Sequence, residues 1–274
     1  MSVFDFREKK VRAAGGAVTV KFLVCEPLEA HGFLNAFSTR QAGTSPLPEN
    51  ALNLHFKNDA DKNVLENRRR FLSAVGANGR PITTLHQIHS DRHSVINEDF
   101  DGEPDGDALI TMKSNILIAV KTADCLPILI GDPKTKAMAA IHAGWRGSLS
   151  RIAEKMVVAL KNAFQSEPSD LVAALGPSAC AACYEIGPDV VQMFTNEFKE
   201  TDLRFLTGKK PSGHAQLNVP MLNVLQLLRA GIKEENIFAS PMCTMHDNHL
   251  FFSHRRESGG GNAPVGRLLA VIGR

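Results

Sequence analysis

The feature that most constrains the fold is a series of short apolar segments in the middle of the chain, with no helical segment between them. Each has the length of a strand, is rich in β-branched residues and is bounded by turn residues. The predicted strands are Ala108–Thr111, Ile116–Lys121, Leu126–Ile130 and Ala137–His142. Asp132-Pro133-Lys134 predicts a tight turn, and therefore a hairpin, between the last two. Consecutive strands favour an α/β or α+β sandwich over a doubly wound Rossmann sheet.

Segments on either side of these strands supply helices and further strands. The predicted helices are Asp59–Val75, Ser148–Phe164, Pro188–Phe198 and Pro220–Ala230. Shorter strands are predicted at Ile82–Ile88, His93–Ile96, Leu171–Leu175 and Leu268–Ile272. The expected architecture is a layered sandwich of central mixed β-sheets flanked by helices. A chain of 274 residues can form one large domain, and we expect a single domain over residues 1–274.

The composition is that of an ordinary soluble globular protein, with 43% hydrophobic and 22% charged residues. A net charge of +2 gives no reason to expect binding to nucleic acid or to a membrane surface. No apolar run approaches the roughly 20 residues of a membrane span, and the first residues lack the apolar core of a signal peptide. Five cysteines, an odd number, suit a reducing compartment. We therefore expect a cytoplasmic protein.

Three residues in unusual local contexts predict a metal site. They are His89 in Gln87-Ile88-His89-Ser90, Cys125 in Ala123-Asp124-Cys125-Leu126-Pro127, and His142 in His142-Ala143-Gly144-Trp145-Arg146-Gly147. A thiolate and two neutral imidazoles form a suitable ligand set for zinc, and Cu²⁺ is an alternative occupant of the same ligands. Cys125 and His142 lie near predicted strand ends, so strand pairing can bring them together. Three protein ligands leave a fourth position open, which is the arrangement of a catalytic metal.

Charged residues near these motifs are candidates for substrate contacts. Arg40 and Arg146 offer the planar, bidentate geometry that recognises phosphate or carboxylate, although structural ion pairing fits the sequence equally well. Asp124 is expected to orient a ligand or to bind a polar substrate group beside Cys125.

Other cysteines and histidines favour less specific roles. Cys180 and Cys183 form a C-x-x-C pair, but no thioredoxin-like pattern surrounds it, so simple packing is the preferred interpretation. His246 and His249 flank a polar loop and are interpreted as solvent-facing, although a second metal is an alternative.

An ordered set of motifs resembles the YfiH-type family. The motifs are Gln87-Ile88-His89-Ser90, Ala123-Asp124-Cys125-Leu126-Pro127, His142-Ala143-Gly144-Trp145-Arg146-Gly147, Gly176-Pro177, Cys183-Tyr184-Glu185 and Phe251-Phe252-Ser253. Members of this family are described as laccase-domain proteins or multicopper polyphenol oxidases, and also as purine nucleoside phosphorylases related to human FAMIN. The resemblance extends from about Phe33 to Ile272.

The resemblance implies a fold, a metal site and an activity. The fold is an α/β arrangement of stacked layers, and the zinc ligands of the family correspond to His89, Cys125 and His142. The implied reactions are phosphorolysis of adenosine, inosine, guanosine and methylthioadenosine, and deamination of adenosine. Some bacterial members resemble peptidoglycan editing factors, which remove a wrong amino acid from a cell-wall precursor.

Several functions remain open at this point. In a zinc-dependent purine nucleoside enzyme, an open zinc site activates water for attack on purine C6, or Arg40 and Arg146 hold phosphate for attack on the ribose. In a cysteine amidase, Cys125 is the nucleophile and His142 is its base.

Two other functions are disfavoured. A multicopper oxidase needs paired H-x-H motifs, which the sequence lacks. A closed structural zinc site needs a fourth ligand beside His89, Cys125 and His142. The expected partners are a nucleoside and phosphate, with the protein a monomer or a weak homo-oligomer.

Overall fold

The computed structural model describes residues 3–57, 59–97, 102–259, 261 and 263–274. The strands are β1 (Phe4–Ala13), β2 (Gly16–Cys25), β3 (Leu34–Ser38), β4 (Ile82–Thr83), β5 (His93–Ile96), β6 (Ala108–Thr111), β7 (Leu117–Thr122), β8 (Leu126–Gly131), β9 (Met138–Ala143), β10 (Val172–Leu175), β11 (Glu185–Ile186), β12 (Leu206–Thr207), β13 (Ala215–Leu217), β14 (Ile237–Ala239) and β15 (Leu268–Gly273). The α-helices are α1 (Glu26–Ala30), α2 (Asp61–Ala74), α3 (Trp145–Leu149), α4 (Ile152–Phe164), α5 (Pro188–Glu197), α6 (Val219–Arg229) and α7 (His254–Glu257).

Two large mixed sheets form the centre of the molecule. One has the strand order β1-β2-β3-β15-β7-β4, and the other has the order β14-β10-β8-β9-β6-β5. Both are mostly antiparallel, with parallel pairs between β4 and β7, between β5 and β6, and between β10 and β14. The strands β11, β13 and β12 form a small third sheet. The predicted mixed α/β architecture is confirmed.

Three apolar clusters define the layers. Ile118, Leu129 and Ala270 belong to the cluster between the two large sheets. The outer face of the second sheet packs against α4 and α6, and the outer face of the first sheet packs against α2. Strands covered on both faces are buried along their whole length, which is why the central segments appear in the sequence as nearly continuous apolar runs.

The hairpin of β8 and β9 has the predicted position and determines the geometry of the site. Its register pairs Pro127 with His142 and Leu126 with Ala143. Cys125, which directly precedes β8, is therefore placed beside the end of β9.

Two predicted elements are shorter in the structure, and the β1–β2 hairpin was not predicted. The predicted helix Ser148–Phe164 is divided into α3 and α4, because Arg151 has a left-handed backbone with φ of 61°. The predicted strand Ile82–Ile88 is reduced to β4, and the chain beyond it turns toward the site as a loop. Within the described part of the chain, no helix has the length and apolar character needed to cross a bilayer.

Candidate active site and metal centres

His89, Cys125 and His142 meet at one end of the two sheets. Their ligand atoms all lie within 4.8 Å of one another. His142 is buried in β9, Cys125 is half-buried in the turn between β7 and β8, and His89 is exposed in the loop before β5. The site is thus anchored in the core on one side and accessible on the other.

Asp107 orients His142, and the sequence interpretation did not identify it. Its carboxylate is fully buried, and Oδ1 lies 2.7 Å from Nδ1 of His142. This contact leaves Nε2 of His142 as the nitrogen available to a metal. A carboxylate on the remote nitrogen of a metal-binding histidine is the usual way in which a protein sets the tautomer and ring orientation.

The same carboxylate holds the loop that carries His89. Asp107 accepts hydrogen bonds from the amide of His89 at 3.1 Å, and from the amide and hydroxyl of Ser90 at 2.5 and 2.8 Å. His89 has a left-handed backbone with φ of 58°, a conformation that non-glycine residues adopt mainly where the surroundings enforce it. One buried carboxylate therefore positions two of the three ligand side chains.

Cys125 and His142 influence each other's protonation. Burial disfavours the Cys125 thiolate, but the charges of His142 and His89 and their hydrogen bonds outweigh burial and lower the pKa of Cys125 to about 6. Burial also disfavours the His142 imidazolium, but Cys125 and Asp107 outweigh it and raise the pKa of His142 to about 9. Without a metal, the pair is a thiolate beside an imidazolium near neutral pH.

We expect Cys125 of the metal-free protein to be alkylated by iodoacetamide with an apparent pKa near 6. The thiolate is the reactive form, so the rate should rise as pH increases through this value and level off before the range of an ordinary thiol. The measurement is the pH dependence of adduct formation at Cys125, followed by peptide mass spectrometry. An inflection at the ordinary thiol pKa of about 8.5 would contradict the ion-pair description.

Gly144 leaves space at the centre of the cluster. A Cβ atom at this position would lie 3.3 Å from Sγ of Cys125 and 3.3 Å from Cδ2 of His89. Its φ of −75° is available to any residue, so the glycine is needed for space and not for backbone conformation.

Gly144→Ala is expected to weaken zinc binding by roughly tenfold to a hundredfold, the usual effect of disturbing residues around metal ligands. The added methyl group would press on two of the three ligand side chains. Competitive titration with a chromophoric chelator measures the affinity. Ser150→Ala, an exposed position at the end of α3, is the control and should bind zinc as the wild type does.

A cavity of about 380 Å³ opens above the cluster. It is lined by His55, Lys57, Leu85, His86, Gln87, His89, Glu103, Lys121, Thr122, Ala123, Cys125, His142, His254 and Arg267. Its lysine and arginine side chains outnumber its single carboxylate, so the cavity favours an anion.

Two of these cations are well anchored. Lys121 is buried, and its Nζ lies 3.0 Å from Oε1 of Glu103. Arg267 donates from Nη1 to the carbonyl oxygens of Val265 and Gly266 at 2.8 and 3.1 Å. Burial lowers the pKa of Arg267, and the negative charge of Cys125 opposes this shift. Both cations are therefore held in place before any anion arrives.

Arg40 lies elsewhere and serves a structural purpose. Its guanidinium group forms two hydrogen bonds to the Glu257 carboxylate at 3.2 and 2.9 Å, and it also donates to the Asn248 carbonyl and lies over the Phe252 ring. It lines a different cavity from the one above the cluster. The predicted phosphate contact of Arg40 does not fit these surroundings.

Asp124 and Arg146 are near the cluster in the sequence, with Asp124 directly before Cys125 and Arg146 in α3, just after His142. Both carboxylate oxygens of Asp124 accept hydrogen bonds, from the Thr244 hydroxyl at 2.6 Å and from the Arg255 amide at 2.7 Å, so Asp124 joins a loop and the first turn of α7. Arg146 is exposed, and its guanidinium group lies 4.4 Å from the centre of the Trp145 ring. The phosphate contact of Arg146 stays a prediction.

A second group of ligand-type side chains lies outside this site. The ligand atoms of Cys180, Cys183, Cys243 and His246 all lie within 4.8 Å of one another. His246 is exposed, as predicted, and it nevertheless lies beside the C-x-x-C pair, which has neighbours that the simple-packing interpretation did not include. The sequence did contain a signal, because Cys243 and His246 form a C-x-x-H pair that matches the spacing of Cys180 and Cys183.

An imidazole–thiolate–imidazole cluster below a cationic cavity defines an enzyme site of the metal-dependent or cysteine-dependent class. The chain belongs to the family described as multi-copper polyphenol oxidoreductase laccase, whose model matches residues 34–274. The YfiH-type resemblance is thereby confirmed, and the chain is an enzyme of this family.

Individual relatives cover most of the chain. A purine nucleoside phosphorylase of Deinococcus radiodurans is 34% identical over 239 residues, which are 87% of this chain and 88% of the relative. Adenosine deaminase RL5, from an unknown prokaryotic organism, is 34% identical and matches 70% of this chain and 76% of its own. The crystal structure of YlmD from Geobacillus stearothermophilus superposes with a TM-score of 0.84 at 29% identity, over 98% of this chain and 99% of that one.

Proposed function

We propose that this enzyme is a zinc-dependent purine nucleoside phosphorylase that also deaminates adenosine. The observation that carries the proposal is the convergence of His89, Cys125 and His142 at the base of a cationic cavity. A volume of about 380 Å³ lies in the range of small-molecule sites. The names of the relatives from Deinococcus radiodurans and of RL5 support both reactions.

The residues present fit a zinc ion. Two imidazoles and a thiolate are ligands that zinc prefers, Asp107 orients one imidazole, and Gly144 leaves room between the ligands. When bound, zinc supplies a Lewis acid with an open coordination position. The reaction would take place in the cytoplasm, with a nucleoside and phosphate as the small-molecule partners.

In phosphorolysis, a phosphate oxygen bonds to the anomeric carbon of the ribose while the bond to the purine breaks. Arg267 and Lys121 would bind and orient the phosphate, because both are cationic and line the cavity that contains Cys125. Preorganised cations in a water-poor cavity are most effective where charge develops in the transition state.

Neutral histidines line the other part of the cavity. Burial lowers the pKa of His55 to about 4, with help from the charges of Lys121 and Arg267. Burial also lowers the pKa of His254. At neutral pH both rings can donate and accept one hydrogen bond each, which suits the hydroxyl groups and ring nitrogens of a nucleoside.

The test is product identification after zinc-loaded protein is incubated with adenosine, with and without phosphate. Phosphate-dependent formation of adenine and ribose 1-phosphate is the expected result, with inosine as the product of deamination. If the zinc-loaded protein converts adenosine, inosine and guanosine to no product, the purine proposal is overturned.

Arg267→Gln is expected to raise the KM for phosphate by roughly tenfold to a hundredfold. A hydrogen bond to a charged group contributes about 1.5–3 kcal/mol, and 1.4 kcal/mol corresponds to a factor of ten. Initial rates over a range of phosphate concentrations measure the effect. Arg146→Gln is the matched comparison, because Arg146 is also a candidate for phosphate binding but is exposed, with its guanidinium group over the Trp145 ring. If Arg146→Gln raised the KM for phosphate more than Arg267→Gln did, the assignment of phosphate binding to Arg267 would be contradicted.

The second candidate is a cysteine amidase that edits a peptidoglycan precursor. It is favoured by one observation, the series Cys125–His142–Asp107, in which a low-pKa thiol, a histidine and a buried carboxylate are arranged as in cysteine hydrolases. Metal-free protein incubated with a precursor peptide should then accumulate an acyl group on Cys125, detected by intact mass. Absence of this adduct, together with zinc-dependent phosphorolysis, would exclude it.

A further inference from the structure

The segments Cys180–Cys183 and Cys243–His246 form a second cluster of metal-ligand side chains. We infer that Cys180, Cys183, Cys243 and His246 bind a structural zinc ion. This site goes beyond the proposed reaction and does not depend on it.

The four ligand side chains lie close enough together to surround a zinc ion. Sγ of Cys183 lies 3.2 Å from Nε2 of His246, whereas Sγ of Cys180 lies 3.8 Å from the other ring nitrogen, Nδ1, so a small rotation of the ring would present one nitrogen to both thiols. With Zn–S bonds of about 2.3 Å and Zn–N bonds of about 2.0 Å, tetrahedral ligands are separated by roughly 3.5–3.8 Å. All four ligand atoms lie within 4.8 Å of one another, so a zinc ion fits with small side-chain adjustments.

The local backbone presents the ligands as two short turns. The amide of Cys183 donates to the Cys180 carbonyl at 3.0 Å, and the amide of Asp247 donates to the Cys243 carbonyl at 2.8 Å. The amide of Cys180 also donates to Sγ of Cys243 at 3.3 Å, which joins the two turns. Paired C-x-x-C and C-x-x-H turns are a typical spacing of structural zinc sites.

The donor types select zinc and a closed site. Three thiolates are soft ligands that disfavour magnesium and calcium. Four protein ligands complete a tetrahedron, so no position remains for a substrate, which distinguishes this site from that of His89, Cys125 and His142. All the cysteines involved are free thiols, and the exposed His246 leaves an entry path for the ion.

The second site would also brace the catalytic loop. Thr244, inside one turn, donates to Oδ1 of Asp124 at 2.6 Å. Ala179, beside the other turn, donates its amide to the Asp124 carbonyl at 2.9 Å. Asp124 directly precedes Cys125 and has a φ of 92°, so its conformation depends on these two segments. The two segments that carry the second cluster therefore hold Asp124, and through it Cys125, in position.

Metal content tests the inference. Purified wild-type protein should contain two zinc ions per chain, and Cys180→Ser/Cys243→Ser should contain one. Cys25→Ala, which removes a buried thiol elsewhere in the core, is the control and should retain two. Equal zinc content in the wild type and the double variant under zinc-replete conditions would overturn the inference.

X-ray absorption at the zinc edge of the wild type keeps the test valid if the double variant does not fold. Two filled sites average two sulfur neighbours per zinc ion, whereas the first site alone has one. Addition of zinc to metal-free Cys125→Ala should also raise its Tm, since the second site survives that substitution. No rise in Tm, with one sulfur per zinc, would contradict a structural role.

Discussion

Cys125→Ala is expected to reduce phosphorolysis and deamination by roughly a hundredfold to a thousandfold, the loss seen when one preorganised group that stabilises a transition state is removed. Cys125 supplies the thiolate of the three-residue cluster, and the histidines that remain are a weaker ligand pair for zinc. Its removal also takes away the negative charge that supports the imidazolium of His142. Steady-state rates with adenosine, with and without phosphate, measure both reactions. The zinc content of the same samples is determined in parallel.

Cys25→Ala is the matched control for this loss. It removes a buried cysteine of the core between the sheets and should leave both reactions close to wild type. If Cys125→Ala retained wild-type phosphorolysis with one zinc ion fewer, the reaction would have to occur at another site.

Asp107→Asn is expected to lower the free energy of unfolding by about 3–5 kcal/mol, the usual effect of removing one partner of a buried ion pair. Asp107 is fully buried and accepts hydrogen bonds from His142, Ser90 and His89. An asparagine offers one oxygen to these donors, and its NH₂ group faces the remaining ones. Zinc affinity should also fall by roughly tenfold to a hundredfold, because two ligand side chains lose their support.

The stability difference should depend on pH. Burial disfavours the Asp107 carboxylate, but hydrogen bonds from His142 and Ser90 outweigh burial and hold the pKa of Asp107 below its usual value. A lowered folded-state pKa means that the stabilisation is complete above the unfolded carboxyl pKa of about 3.9 and is lost as pH falls toward the folded value. Urea unfolding at neutral and acidic pH should therefore show wild type and Asp107→Asn converging in acid.

Asp105→Asn is the control for Asp107→Asn. Asp105 is exposed and pairs with the exposed His86, so this change should alter stability by less than about 0.5 kcal/mol. If both substitutions lowered the free energy of unfolding equally, the stabilisation could not be attributed to the burial of Asp107.

The central strands were predictable because both faces of each are buried, so their apolar runs are continuous. Two other features of the fold could not be predicted from the sequence, for physical reasons. Arg151 adopts a left-handed conformation within an uninterrupted helical pattern, and no residue type there signals the break. The long β1–β2 hairpin at the edge of the first sheet carries many exposed polar residues, which obscure its alternation.

The candidate metal ligands were recognisable by residue type and local motif, whereas their supporting groups were not. Asp107 stands before a predicted strand and looks in the sequence like an ordinary turn residue. Arg40 and Arg267 are indistinguishable as sequence letters, and only the structure pairs one with Glu257 and places the other in the cavity. The second cluster depends on two ligand pairs that are distant in the chain, and the parallel bridge between Ser178 and Cys243 brings them together.

The most direct test of the central claim is a zinc titration of metal-free enzyme, followed by phosphate-dependent release of adenine from adenosine. We expect no phosphorolysis without metal, recovery of activity as zinc is added to the wild type, and no recovery in Cys125→Ala at any zinc concentration. Full phosphorolysis by the metal-free wild type, or by zinc-loaded Cys125→Ala, would contradict the assignment of His89, Cys125 and His142 as the catalytic zinc site.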